Sequence, residues 1–187
     1  MQVQLDLYNS GKHPDNDADT IQTIKMVTEQ NERLSKMVKT LLDMSELQTV
    51  GRDETIIVNA LVDEVLADLE PLAQEKNIKL IGKCKDVNMV GSDILIYRLV
   101  YNLVENAIKY NHSGGQVSVE AYQREKQVYL SVKDTGNGIP EELKERVFEP
   151  FFRVDKSRSR ELGGVGLGLA LVNEIVRVHD GSISLRS

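Results

Sequence analysis

The sequence predicts an α+β protein in which a long amphipathic helix precedes helices that cover one face of a sheet. Three observations predict this class. Apolar residues recur every three or four positions over residues 18–48, which is the period of an amphipathic helix. Residues 116–122 and 127–132 alternate between apolar and polar, as two half-buried antiparallel strands do. A second strong helical pattern begins at Ser92, a residue suited to the N-cap position, and ends near Asn111.

The first helix cannot bury its apolar stripe alone, since an isolated helix has nothing to pack against. We expect the stripe to pack against a second copy of the chain in a helical dimer, and packing against the domain that follows is the alternative. A turn-rich connector at residues 9–17 precedes this helix, and a short hinge at 51–54 follows it. The stripe consists of Ile21, Ile24, Val27, Leu34, Val38, Leu41 and Leu42.

Shorter elements follow the hinge. Further strands are predicted at residues 55–58, 78–83, 87–90 and 182–185. Further helices are predicted at residues 59–76, 140–147 and 166–178. Asn59 is suited to cap the first of these helices, and Pro71 inside it predicts a kink or an early end near Glu70. Residues 152–163 are polar and basic, so they are predicted to form a loop.

The composition excludes several classes of function. The chain has 187 residues and a net charge of −6, which argues against a nucleic-acid partner because no basic face offsets the charge of a phosphate backbone. Its single cysteine, Cys84, excludes an intramolecular disulfide and is typical of a reducing compartment. No run approaches the ~20 apolar residues that a membrane span needs, and no signal peptide is recognisable. We therefore expect this piece to be soluble and without direct membrane contact, as the cytoplasmic portion of a parent protein that is anchored in a membrane elsewhere.

The first of three motifs with chemical character is Asn102-Leu-Val-Glu105-Asn106-Ala-Ile-Lys109-Tyr110, in the second strong helix. Asn102 and Asn106 are four residues apart, so they share a helical face, and Lys109 joins them. An asparagine oxygen is a neutral ligand that suits Mg²⁺ already bound to phosphates, and a lysine can contact a phosphate as a point charge. A solvated polar face would show the same pattern.

The second motif is Asp134-Thr-Gly136-Asn-Gly138, just after the strand at 127–132. A carboxylate only accepts hydrogen bonds, so Asp134 is suited to hold an exocyclic amine such as that of adenine. Gly136 and Gly138 would let the backbone approach a ligand closely. The same residues are good turn formers, so a plain tight turn is the alternative.

The third motif is Gly164-Val-Gly166-Leu-Gly168-Leu169, which leads into the predicted helix at 166–178. Glycines there suit backbone N–H groups that point at phosphate oxygens, and a flexible loop before a loosened helix is the alternative. Glycines inside a helix cost roughly 1 kcal/mol each, a cost that a phosphate site would explain. The motif is neither the dinucleotide fingerprint, which needs a βαβ unit, nor the Walker loop, which needs a following Gly-Lys-Ser/Thr.

A basic segment lies between the second and third motifs. The run Phe148-Glu-Pro-Phe151-Phe152-Arg153 contains all three phenylalanines of the chain, which we expect to anchor a loop by core packing. Arg153 and Arg158 then lie on a segment able to close over phosphates. Taken together, the motifs predict a nucleotide site, and ATP in particular.

In this order, the motifs resemble the N box, the first glycine box, the F box and the second glycine box of the ATP-binding domain of sensor histidine kinases. That family belongs to the ATPase superfamily shared with DNA gyrase and the large heat-shock chaperone. The resemblance covers residues 53–187 and implies a two-layer α/β sandwich. It divides the chain into a truncated dimerisation and histidine-phosphotransfer hairpin at residues 1–50 and an ATP-binding catalytic domain at 51–187.

The resemblance implies that the γ-phosphoryl of ATP is transferred to a histidine and later to an aspartate on a response regulator receiver domain. It also implies a homodimer through the helical hairpin. Asn106 would ligate Mg²⁺, Asp134 would bind the adenine amine, and Lys109 would contact a phosphate. The other implied nucleotide contacts are Asn102, Tyr110, Gly136, Gly138, Ile139, Arg153, Arg158, Gly164, Gly166, Leu167, Gly168 and Leu169.

Three residues of the first motif form the implied catalytic set, which is Glu105, Asn102 and Lys109. Relatives that hydrolyse ATP carry a glutamate at the position of Asn102. An amide does not accept a proton at neutral pH, so the resemblance implies weak hydrolysis. Glu105 is the nearby carboxylate that could act as general base, and a plain surface charge is its alternative role.

The acceptor histidine of the family has no counterpart in this sequence. His13, His112 and His179 all lack the acceptor context, so we expect a fragment that binds nucleotide without phosphorylating itself. Val165 also stands where the family more often has Thr or Ser. Two alternatives stay open, namely a protein-serine kinase that acts on an anti-sigma partner and a non-catalytic dimer that is switched by nucleotide.

Overall fold

The structure is a computed structural model, and it describes residues 17–154 and 165–187. The helices in these ranges are α1 (Asp17–Glu46), α2 (Val58–Glu75), α3 (Asp93–Lys109) and α4 (Gly168–Val178). The strands are β1 (Glu54–Ile57), β2 (Lys79–Cys84), β3 (Asn88–Gly91), β4 (Gln116–Arg124) and β5 (Gln127–Asp134). The predicted connector at residues 9–17 lies almost entirely outside these ranges, and so do His13, Arg158 and Gly164.

The strands form two sheets. β1 and β3 pair antiparallel, while β4 lies between β2, which is parallel to it, and β5, which is antiparallel. The parallel pair needs a long crossover connection, which β3 and α3 supply. Val117, Val119 and Ala121 of β4 are buried on the face of the sheet that the helices cover. This arrangement confirms the predicted α+β class.

Helix α3 is amphipathic and crosses the middle of the core. Seven of its apolar side chains are at most 7% exposed, because they pack between the sheet and the neighbouring helices. They are Leu95, Ile96, Leu99, Val100, Val104, Ala107 and Ile108. The edge of this buried face carries half-buried polar residues, among them Asn102 and Asn106. The core thus fixes the direction in which the first motif points.

Helix α1 differs, because its apolar stripe stays open to solvent in the single chain. The seven stripe residues from Ile21 to Leu42 are 44–65% exposed, so the domain that follows does not cover them. Among the described side chains, those at the end of the helix join the core, where Leu47, just beyond it, is 2% exposed and Met44 packs against the cluster. Within the described ranges, no helix is both apolar and long enough to cross a membrane.

Two expectations about helix starts need correction. Asn59 does not cap α2, because β1 runs directly into a helix that starts at Val58 with Ile57 at the N-cap. Ser92 does occupy the N-cap of α3, but its side chain makes no capping hydrogen bond. Its backbone N–H instead donates to Nε2 of His179 at 3.1 Å. Tertiary contacts, rather than local caps, hold both of these helix starts.

Three expectations about how the chain continues also need correction. Pro71 does not end α2, which continues to Glu75, because buried Leu69 and Ala73 hold both sides of the proline in the core. The helix expected at 140–147 is two 3₁₀ turns, Glu141–Leu143 and Arg146–Phe148. Residues 182–185 form no strand. That segment packs Ile183 against the core without joining either sheet.

Candidate functional site

The polar face of α3 forms one wall of the candidate site. Asn102, Asn106 and Lys109 are half-buried along it. The Nδ2 of Asn102 donates to the carbonyl oxygen of Arg98 at 2.7 Å, which fixes the amide and turns its oxygen away from the helix axis. Lys109 is paired with Glu105, with 2.6 Å between Nζ and Oε1. The wall therefore presents two amides followed by an ion pair.

The start of α4 lies directly against this wall. A Cβ built on Gly168 would lie 3.0 Å from Oδ1 of Asn102 and 3.7 Å from Nδ2 of Asn106. A larger residue at this position would crowd the side-chain oxygen of Asn102, so glycine keeps the space between the two helices open. The N–H groups of the first helical turn have no partner inside the helix, so this end is chemically suited to an anion. The first and third motifs, which are far apart in sequence, are therefore neighbours.

The turn before α4 is held by the phenylalanine-rich run. Gly166 has a φ of +80°, and a Cβ there would lie 2.7 Å from the carbonyl oxygen of Phe152. Phe151 donates its N–H to the carbonyl oxygen of Gly166 at 2.8 Å. The Arg146 guanidinium lies 4.3 Å from the ring centroid of Phe152. The expected core packing of the three phenylalanines is wrong, because Phe151 is 53% exposed and Phe148 and Phe152 are only half-buried. Half-buried Arg153 follows them, beside the glycine turn.

The second motif closes the other end of the α3 wall. Oδ1 of Asp134 accepts the N–H of Gly136 at 2.8 Å, which makes the tight turn. A Cβ on Gly136 would lie 2.7 Å from the carbonyl oxygen of Tyr110, so the turn is pressed against the end of the helix. Gly138 has a φ of +68°, a conformation that favours glycine. Asp134 itself is exposed and Ile139 is half-buried.

A hydrogen-bonded bridge that was not predicted joins this turn to α3. Asn111 accepts the hydroxyl of Thr135 through Oδ1 at 3.1 Å and donates through Nδ2 to the carbonyl of Gln116 at 3.1 Å. Asn137 donates from Nδ2 to the carbonyl oxygen of Tyr110 at 3.3 Å. The sequence feature that could have predicted this bridge is Asn111, which follows the C-cap residue of α3. Short polar side chains near helix ends often bond to nearby backbone.

Two further polar contacts were also missed. Oγ of Ser187 accepts the N–H of Ile139 at 2.7 Å, and a Cβ built on Gly138 would lie 2.7 Å from the same oxygen. His179 accepts the N–H of Ser92 at Nε2, and its Nδ1 bonds to the carbonyl oxygen of Ile175 at 2.8 Å. The ring of His179 therefore links the start of α3 to the last turn of α4.

The structure thus gathers the described candidates around one region. Asn102, Glu105, Asn106, Lys109 and Tyr110 line α3, with the turn of Asp134, Gly136, Gly138 and Ile139 at one end and Gly166, Leu167, Gly168 and Leu169 alongside. Of the glycine-run leucines, Leu167 is buried and Leu169 is half-buried. Arg158 and Gly164 lie outside the described residues. Within the described ranges, no group of three or more His, Cys, Asp or Glu residues is placed to hold a metal ion.

Comparison with sequence families places these motifs in a known group. Residues 91–187, which include all four motifs, match the sequence model of the family described as histidine kinase-, DNA gyrase B- and HSP90-like ATPase. This is an ATPase family, so it supports ATP as the nucleotide.

Curated relatives extend the similarity into the long helix. The sensor-like histidine kinase SenX3 of Mycolicibacterium smegmatis is 37% identical over 177 residues, which is 91% of this chain and 46% of that protein. The sensor histidine kinase WalK of Bacillus subtilis is 36% identical over 168 residues, which is 84% of this chain and 27% of that protein. The chain therefore spans less than half the length of these relatives.

Solved structures give the same result for the fold. The catalytic domain of the histidine kinase ThkA is 29% identical and superimposes with a TM-score of 0.64 over 73% of this chain and 90% of that one. The structure of ThkA in complex with the response regulator protein TrrA matches 94% of this chain and 49% of that one, with a TM-score of 0.71 and 26% identity.

Proposed function

Because this chain belongs to the histidine kinase-, DNA gyrase B- and HSP90-like ATPase family, we propose that it is the ATP-binding kinase core of a two-component sensor histidine kinase. It transfers the γ-phosphoryl of ATP to a histidine that another segment supplies, for relay to an aspartate of a response regulator. The single observation that supports this most is the approach of Gly168 to Asn102 and Asn106, because it brings a helix N-terminus to the amide wall. Phosphoryl transfer depends mainly on such positioning and charge neutralisation.

The adenine end of the nucleotide would lie at the second motif. Oδ1 of Asp134 closes the turn, so its exposed Oδ2 is the oxygen left to accept the adenine amine. Gly136 and Gly138 keep the turn close to the base, and Ile139 and Tyr110 flank it with apolar surface. A carboxylate and two glycines at this end would discriminate adenine from guanine, whose six-position is an acceptor rather than a donor.

The phosphates would lie between the amide wall and the start of α4. The N–H groups from Gly166 to Leu169 would point at their oxygens. Lys109 would supply a point charge, while Arg153, Arg158 and Gly164 would contribute from the segment before the glycine turn. Asn106 would hold Mg²⁺ as a neutral ligand, with the phosphates providing most of the remaining oxygens. The ion supplies charge neutralisation across the transferring phosphoryl group.

Glu105 and Asn102 determine the reaction outcome in this proposal. Glu105 is paired with Lys109, so the arrival of a phosphate would draw the ammonium away and leave the carboxylate able to take the proton of the incoming histidine. Asn102 lies where a hydrolysing relative would need a base, and its amide is committed to the Arg98 carbonyl. Water is therefore activated poorly, and the phosphoryl group is kept for the protein acceptor.

The long helix supports the assembly part of the proposal. The exposed stripe of α1 is the surface through which two copies would pair, and residues 1–50 would belong to that dimerisation unit while residues 51–187 bind ATP. The receiver domain of a response regulator is the proposed partner, on the cytoplasmic side where ATP is found. Calorimetry is the first test, with ATP and GTP in the presence and absence of Mg²⁺.

The expected result is adenine-selective binding that strengthens with Mg²⁺. Asn106→Ala should weaken the ATP affinity about tenfold, since one ligand interaction of ~1.4 kcal/mol is lost. Asn31→Ala removes the same side chain from an exposed position on α1 and should leave the affinity unchanged. Kinase activity is then tested with γ-labelled ATP and a separately supplied domain that carries an acceptor histidine. Failure of the wild type to bind ATP would refute the site, and binding without labelling would favour the nucleotide-switched dimer.

A further inference from the structure

An ion pair between α1 and α3 lies toward the N-terminal end of the polar face of α3. Nη1 of Arg98 lies 2.9 Å from Oδ1 of Asp43, and the two side chains are 26% and 15% exposed. Asp43 belongs to the last turn of α1, where neighbouring Leu47 is buried in the core and Arg52 donates to its carbonyl oxygen at 3.2 Å. The carboxylate is therefore held in place by a docked helix end and is not a freely moving surface group.

Arg98 lies on the same face of α3 as the proposed site. It precedes Asn102 by four residues, and Asn102 precedes Asn106 by four, so the three side chains follow one line along the helix. Asn102 is also hydrogen-bonded to the Arg98 carbonyl. The guanidinium is thus the next group beyond the amide wall.

The direction of the nucleotide along this face follows from the rest of the site. The adenine turn contacts Tyr110 at the C-terminal end of α3, while the start of α4 contacts Asn102 and Asn106 further back. The chain of phosphates would therefore extend toward the N-terminal end of the helix, which is where Arg98 lies. Its terminal phosphate would be the part closest to the Asp43–Arg98 pair.

We propose that Asp43 and the terminal phosphate of the nucleotide compete for the Arg98 guanidinium. This inference rests on the proposed function. A planar guanidinium binds a carboxylate or a phosphate oxygen pair equally well in geometry, so either anion satisfies it. Binding a triphosphate then loosens the docked end of α1, and the docked end of α1 weakens triphosphate binding. Arg98 is a further phosphate-binding residue, and Asp43 is a positioning residue that acts through it.

The competition is tested by calorimetry on the full chain with the non-hydrolysable analogue Mg·AMP-PNP and with adenosine. Asp43→Asn keeps the shape of the side chain and removes its charge, so AMP-PNP should bind about fivefold or more tightly while adenosine binds as before. Arg98→Gln should weaken AMP-PNP binding, and the double variant should match Arg98→Gln alone. Glu46→Gln removes an exposed carboxylate from the same turn of α1 and should change neither affinity.

The wild type offers a second readout that does not require a variant to fold. The Nε–Hε resonance of Arg98 should shift when AMP-PNP is added and stay in place when adenosine is added. A variant Asp43→Asn that binds AMP-PNP no more tightly than the wild type, or that changes adenosine binding equally, would overturn the inference. So would an Arg98 resonance that AMP-PNP leaves in place. Absence of adenosine binding to the wild type would instead count against the proposed function itself.

Discussion

Helices α1 and α3 have the same apolar period and opposite surroundings. The seven core-facing apolar residues of α3 are at most 7% exposed, whereas the seven stripe residues of α1 are 44–65% exposed. An apolar period indicates that one face of a helix is buried against another surface. It does not indicate whether that surface belongs to the same chain. In α3 the partner is the core of the same chain, which aims Asn102 and Asn106 at α4. In α1 the described part of the chain does not cover the apolar stripe.

The largest expected difference between the two helices is in stability. Ile108→Ala in α3 removes a fully buried side chain, so we expect a loss of about 2–5 kcal/mol in the free energy of unfolding. Leu42→Ala in the α1 stripe removes one that is 57% exposed and should change the monomer by about 0.5 kcal/mol or less. Urea titration at low protein concentration measures both. Equal losses would show that the stripe of α1 is covered within the single chain.

The second prediction concerns the hydrogen bond that ties α4 to the start of α3. His179→Ala leaves the N–H of buried Ser92 without its acceptor, so we expect a loss of about 1–3 kcal/mol. His112→Ala is the matched control, because that ring is exposed and bonds only to its neighbour's carbonyl. If thermal unfolding shows the two variants to be equally stable, the bridge between the two helices does not contribute.

A smaller effect is expected where α3 meets α2. Burial and the hydrogen bond to Asp68 raise the pKa of Tyr97 well above its ordinary value of 10.0. The folded chain therefore keeps a proton that the unfolded chain releases from about pH 10 upward, so this contribution to stability is complete below that pH and falls above it. Tyr97→Phe should lose about 1 kcal/mol at pH 7 and progressively less above pH 10. A difference that stays constant with pH would contradict this account.

Substitutions in the apolar stripe of α1 are expected to have the smallest effect on stability and the clearest effect on assembly. Val38→Glu places a charge in an exposed apolar position, so the monomer should stay within about 0.5 kcal/mol of the wild type while self-association is lost. Lys39→Glu alters the charge of the adjacent exposed position outside the stripe and should leave association largely intact. Sedimentation over a range of concentrations tells the two outcomes apart, and loss of association in both variants would place the interface elsewhere.

The sequence predicted the parts of this molecule that depend on local pattern. The family inferred from the four motifs is confirmed, as are the α+β class, the position of α3 and the two long strands of the hairpin. These predictions succeeded because the apolar period, the glycine spacing and the order of the motifs are all visible in the sequence itself. The roles of individual site residues remain predictions.

The failures came where tertiary contacts override local preference. Pro71 stays inside a helix because the residues around it are buried, and the segment at 182–185, where a strand was expected, packs Ile183 against the core without joining either sheet. The Asp43–Arg98 pair could not be found from the sequence either, since the two residues are 55 positions apart and each alone is an ordinary surface charge. Such contacts are visible only when the fold is known.

The central claim is that the sequence motifs surround one nucleotide. Its most direct test is a single titration followed by NMR, with Mg·AMP-PNP added to the isotope-labelled chain. The account predicts that the side-chain amides of Asn102 and Asn106, the backbone amide of Gly136 and that of Gly168 all shift along one binding curve. Shifts confined to one of these groups, or following separate curves, would mean that the motifs do not surround a common nucleotide.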